Sequence, residues 1–116
     1  MNTKGKHIRG IVDELINNAI KAKASKINVS VEQDTNEVMI SVEDNGKGIS
    51  KEKLPEVMKN LQQPRRAELE EYYGALAGQS MIGTGLSLVG MMTDRALVET
   101  ELGKGTKITV FIAVRS

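Results

Sequence analysis

Glu14, Asn18 and Lys21 stand four and three residues apart in a stretch whose apolar residues recur at helical spacing. On a helix those intervals gather the three side chains at the rim of the apolar stripe. A carboxylate, an amide oxygen and an ammonium placed so can polarise a water, give an oxygen to a hard cation such as magnesium, and contact phosphate. A plain solvent-facing helix edge with a Glu–Lys pair fits the same trio. Asp44 is the second candidate. It continues the register of Val38, Ile40 and Val42, so its carboxylate turns toward the apolar side of its strand. A charge there needs donors, and either the exocyclic amine of a base such as adenine or the backbone amides of the following glycine turn can serve. Gly46 and Gly48 follow at alternate positions, ahead of Ile49, and let backbone pass close to a flat ligand or adopt positive φ. A calcium loop is excluded, because its third and fifth positions would be Gly46 and Gly48, which carry no side-chain oxygen.

The third candidate is Gly83-Thr84-Gly85-Leu86, a glycine turn opening a helix. Unpaired amides at a helix start suit phosphate, and an ordinary loop-to-helix junction has the same look. It is not a dinucleotide fingerprint, since no strand immediately precedes it and the third glycine is displaced to Gly90. Nor is it a Walker-type loop, for Leu86 stands where the lysine belongs and Ser80 where the first glycine belongs. Thr106 shares the parity of Ile108, Val110 and Ile112, which aims its hydroxyl toward Asp44 or packs it as a β-branched strand residue.

The elements that hold these residues are readable from periodicity. Apolar residues Ile8, Ile11, Val12, Leu15, Ala19 and Ala22 predict an amphipathic helix over 6–23. Ile27, Val29 and Val31 alternate with polar neighbours, as do Val38, Ile40 and Val42, across the turn residues 34–36, so an antiparallel hairpin with one buried face is expected. Ser50 reads as the N-cap of a helix through Leu54, Val57, Met58 and Leu61. Residues 62–82 form the least regular stretch, a helix and a mobile loop. A helix from Leu86 to Met92 follows, then strands 96–100 and 106–114 joined at Gly103-Lys104-Gly105. Three helices and four strands in this order predict an α/β (α+β) two-layer sandwich, with the helices on one face of an antiparallel or mixed sheet.

The 116 residues suffice for one domain over 1–116 with a single core. Sixteen basic and fifteen acidic side chains leave a net charge of +1, so a broad nucleic-acid-binding surface is not indicated. One phenylalanine, two tyrosines and no tryptophan give no platform for stacking single-stranded bases. There is no cysteine, which removes disulfides and thiolate chemistry. Apolar runs fall far short of the ~18 residues of a membrane span, and no signal-like segment follows Met1. A cytoplasmic location is expected.

In order and spacing, these motifs resemble the GHKL superfamily of ATP-binding domains, shared by type II topoisomerases, mismatch-repair ATPases, ninety-kilodalton heat-shock chaperones and sensor histidine kinases. Glu14-x-x-x-Asn18 is similar to its N box, Asp44-x-Gly46-x-Gly48 to its first glycine box, and Gly83-Thr84-Gly85-Leu86 to its second. Gly103-Lys104-Gly105-Thr106 is similar to the closing element of kinase catalytic domains. The resemblance implies a Bergerat fold, mixed and mostly antiparallel, with ATP and Mg2+ as ligands. It implies that Asn18 coordinates the magnesium on the triphosphate and that Lys21 touches phosphate. Asp44 would accept from the adenine amino group, backed by Thr106 directly or through a water. Gly46, Gly48 and Ile49 would line the base, and the Gly83–Leu86 turn, Thr84 and Gly85 included, would close over the phosphates. Glu14 matches the general base of the hydrolytic branches, and residues 62–82 the ATP lid.

Two departures accompany the resemblance. The chain begins almost at the N-box helix, so the element that usually precedes it is expected to be missing or to belong to another segment. The sole histidine, His7, lies seven residues before Glu14, with no room for helices carrying a phosphoacceptor, so autophosphorylation in the usual manner is not expected. Three readings follow: an ATPase or ATP-driven switch with Glu14 as base, a phosphotransferase acting in trans like a detached histidine-kinase catalytic domain or the serine kinases that restrain sigma factors, and a non-catalytic interaction module. Each leaves room for a protein partner, an additional domain or a homodimer.

Overall fold

A computed structural model describes residues 3–63 and 85–113, with side chains from His7 onward. The stretch 64–84 lies outside the described residues, and with it most of the expected lid together with Gly83 and Thr84. The elements are α1 (Thr3–Lys21), β1 (Ile27–Gln33), β2 (Glu37–Asp44), α2 (Leu54–Leu61), α3 (Gly85–Met91), β3 (Arg95–Glu101) and β4 (Gly105–Ala113). The strands form one sheet in the order β1-β2-β4-β3, and all of its pairings are antiparallel.

α1 buries the stripe that its spacing predicts: Ile11, Leu15 and Ala19 are sealed from solvent. Its end is set by Lys23, whose φ of 66° is left-handed. There the amides of Lys23 and Ala24 fold back onto the carbonyls of Ile20 and Ala19, 3.0 and 3.3 Å away, a Schellman cap with lysine where glycine is usual. The β1–β2 turn is held by Asp34, whose carboxylate accepts the amides of Asn36 and Glu37 at 2.7 and 2.8 Å. Those bonds, Glu37's foremost, keep its carboxyl below the ordinary 3.8.

The hairpin departs from expectation in one respect. The face bearing Val38, Ile40 and Val42 is buried in β2, but Val29 and Val31 on β1 stay exposed. Alternation reports which side a residue takes, not whether anything covers it, and among the described residues β1 pairs with β2 alone. α2 also starts later than Ser50 suggests. Ser50 closes a single turn, accepting the amides of Lys53 and Leu54 on its carbonyl and that of Lys53 on its hydroxyl at 3.3 Å. The regular helix begins at Leu54, which places Pro55 in its first turn, where a missing N–H costs no hydrogen bond.

The core joins Ile11 and Leu15 of α1, Leu61 of α2, and Leu88 and Val89 of α3 to Ile40, Ile108 and Val110 of the central strands. It forms the two layers expected. No helix among the described residues is long and apolar enough to cross a membrane.

Candidate functional site

Asp44 ends β2, lies across from Thr106 at the start of β4, and Thr106 in turn lies across from Thr100 of β3. Three polar residues thus cross three strands in one row, on the face where Ile40 and Val110 form the core. Asp44 and Thr106 are 9 % and 5 % exposed. One carboxylate oxygen of Asp44, Oδ1, accepts the Gly46 amide at 2.8 Å. The turn therefore supplies one donor, as the plainer of the two sequence readings expected. Oδ2 has no partner among the described residues. Because no fully buried polar atom there is left unsatisfied, it opens onto solvent-reachable space.

Thr100 is the hub of the row. Its hydroxyl accepts the Ile49 amide at 2.9 Å and lies 2.9 Å from the Thr106 hydroxyl and 3.1 Å from the Gly105 carbonyl. Two further ties fix the first glycine segment. The Asn45 amide oxygen accepts the backbone N–H groups of Ser25 and Lys26, both at 2.9 Å. Lys47 donates its own N–H to the Ala22 carbonyl and accepts from Gly103 on its C=O, at 2.9 and 2.7 Å. The segment is clamped between the end of α1 and the β3–β4 turn. Gly48 completes it with φ of 77°, where a Cβ would run into the Glu101 carbonyl.

Two cavities of about 360 Å³ each open beside this frame. Gly48, Ile49, Leu102 and Thr106 line the first. Glu14, Asn17, Asn60 and Gly85 line the second. Asn18, Lys21, Lys53, Val57 and Leu86 are walls of both, so the two are chambers of one cleft. The combined space suits a small-molecule ligand, with an apolar chamber at one end and amides, a carboxylate and ammoniums at the other. Asp44 lines neither chamber. It borders a separate acidic depression with Glu43 and Glu101, and Thr106 is a wall of both that depression and the first chamber. Gly46 stands behind, held by Asp44.

Glu14 and Gly85 touch: a Cβ on Gly85 would strike the Glu14 carboxylate. The N-box helix and the helix opened by the glycine turn therefore meet at the one residue type that allows it. Sequence reasoning missed Lys53, Lys47, Asn17 and Thr100. The lysines carried a signal in their flanking of the first glycine segment. Thr100 carried none, since its role lies in bonds across strands.

A helix-covered antiparallel sheet with a two-chamber cleft of this chemistry defines a nucleotide-binding α/β sandwich. Residues 3–116 match the family of histidine kinase-, DNA gyrase B- and HSP90-like ATPases, and the chain belongs to it. It is an ATP-binding domain of that family. Among curated relatives, the sensor protein RprX of Bacteroides fragilis is 32 % identical over 90 % of this chain and 20 % of its own length. The sensor histidine kinase YvrG of Bacillus subtilis is 30 % identical over 88 % of this chain and 17 % of its own length. The chain spans about a fifth of the length of these relatives.

Proposed function

We propose that this domain binds ATP with magnesium and donates the γ-phosphoryl group to a histidine on another domain or chain. The observation that carries the binding mode is that Asn18 and Lys21 are walls of both chambers. A nucleotide with its base between Gly48, Ile49 and Thr106 would pass its phosphates across these two side chains toward Glu14 and Gly85. Asp44 Oδ2, backed by Thr106, would accept the adenine amine, Gly46 would hold the carboxylate in aim, and Leu86 would close the cleft. Gly83 and Thr84 extend the phosphate-binding turn in this reading, and residues 62–82 supply its lid.

Magnesium suits the donors present. Asn18 offers one hard oxygen, and no group of three or more histidine, aspartate or glutamate residues among the described residues could cage a metal. That favours an ion carried by the phosphates over a resident one. When bound, it would neutralise charge on the triphosphate. Lys21 and Lys53 add ammoniums to the same end of the cleft.

The choice of histidine as acceptor is supported by the likeness to the sensor histidine kinase YvrG. Glu14 then takes the proton that the attacking imidazole sheds. A second reading, hydrolysis, keeps the same geometry with water as the acceptor, and Glu14 beside Gly85 favours it equally. Labelled ATP, supplied with magnesium and with histidine-bearing candidate acceptor proteins, separates the two. Acid-labile label on protein is expected; label released only as free phosphate, at a rate the acceptor does not change, would overturn phosphotransfer. In calorimetry Asp44→Asn is expected to weaken ATP binding by about 1.5–3 kcal/mol. Unchanged affinity would remove Asp44 from the base site. The cytoplasm, where ATP is made, is the compartment this reading assigns.

A further inference from the structure

The β3–β4 turn carries a leucine that the turn itself does not require. Glu101, Leu102, Gly103 and Lys104 form a four-residue turn, closed by the Lys104 N–H on the Glu101 carbonyl at 2.9 Å. Gly103 has φ of 84°, the value demanded at the third position of a type II turn. The Gly103 N–H also donates to the Lys47 carbonyl at 2.7 Å, which fastens the turn to the first glycine segment. All of these ties are made by backbone. Leu102 fills the second position, where no side-chain bond is needed, and it is 67 % exposed.

Leu102 is nevertheless a wall of the first chamber, together with Ile49, Val57 and Leu86. Its Cα lies against Gly48, since a Cβ added to that glycine would come within 2.9 Å of it. With Lys47, Gly48 and the Ile49 amide all bonded to or packed on residues 100–103, the turn is fixed beside the glycine segment. An apolar side chain is thus held at the rim of an apolar chamber, with surface still to bury.

We propose that Leu102 grips the nucleobase from the turn side: a base seated against Gly48 and Ile49 covers the leucine and takes its remaining surface out of water. This rests on the nucleotide reading above and adds a determinant at its base end. Burial of that much leucine is worth about tenfold in affinity. The gain is shared by every ligand that carries the base and is indifferent to its phosphates. Leucine has no donor or acceptor, so it supplies grip, whereas Asp44 supplies the choice of base.

Amide chemical-shift titrations of the parent and of Leu102 variants, with magnesium ATP and with adenosine, test this. Leu102→Ala and the near-isosteric Leu102→Asn are each expected to weaken both ligands about tenfold, by the same factor, and Leu102→Met to restore both to within about twofold. The melting temperature without ligand is expected to hold within about 2 °C in all three, because the turn is closed by backbone. Parent-like binding of both ligands by Leu102→Ala overturns the proposal. So does a loss confined to ATP, which would put the leucine's effect at the phosphates, or a ligand-free melting temperature lowered by several degrees, which would mean that another part of the protein covers it. A parent that binds neither ligand overturns the nucleotide reading and this inference with it, whereas a parent that binds both while the variants match it sinks this inference alone.

Discussion

Thr100 has one hydroxyl proton and three neighbours. Its oxygen accepts from Ile49, so the proton goes either to the Gly105 carbonyl or to Thr106. In the first case Thr106 must donate to Thr100 and shows only lone pairs to the cleft; in the second it keeps a proton to give. Either way Thr100 decides what Thr106 presents beside Asp44, without itself lining the first chamber. Thr100→Val preserves the shape and removes every one of these bonds, leaving the partly buried Ile49 amide without its acceptor. An unsatisfied group of that kind costs about 1–3 kcal/mol. Denaturant unfolding is expected to show that loss, and calorimetry a weakening of ATP of about tenfold, with Thr100→Ser restoring both. If the valine variant binds ATP like the parent, the row does not serve the base.

At the scale of elements, the two caps of the α1–β1–β2 unit are its tunable points. Lys23 holds a left-handed backbone that costs a side-chain-bearing residue about 1 kcal/mol, and the Schellman bonds persist with glycine in its place. Lys23→Gly is therefore expected to raise the melting temperature by about 4 °C; a lower one would mean the lysine side chain contributes more than its backbone costs. Asp34 acts through charge. Its carboxyl is depressed below 3.8, so its support of the hairpin is complete above that pH and fades as pH falls through the folded value. Protection of the Asn36 and Glu37 amides, relative to the intrinsic exchange rate at each pH, should fall over that acid window, and Asp34→Ala should flatten the dependence. The elements themselves were legible wherever periodicity reports a face: the α1 stripe, the β2 alternation and the inward turn of Asp44 all needed only local pattern. What escaped was set by neighbours distant in sequence. The exposure of Val29 depends on where the sheet ends, the late start of α2 on Pro55 overriding Ser50, and the roles of Thr100, Lys47 and Lys53 on bonds and walls that join separate elements.

Across the whole molecule, the cleft draws its walls from α1, α2, α3, β4, the first glycine segment and the β3–β4 turn. A ligand that fills both chambers ties these parts together, whereas one confined to the first leaves the Glu14 end alone. A domain of this size is stable by only about 5–15 kcal/mol, so binding is visible as stability. Ligand at a hundredfold excess over its dissociation constant adds about 2.7 kcal/mol, or roughly 10 °C in melting temperature for a chain of this length. ATP with magnesium is expected to give that shift. Adenosine at the same concentration should give a small one, and ATP with a chelator an intermediate one, because Asn18 and the lysines then face phosphates whose charge is not neutralised. The order of the three shifts is the measurement. If adenosine matches ATP, the phosphates do not reach the Asn18–Lys21 wall; if the chelator changes nothing, magnesium is no part of the bound state.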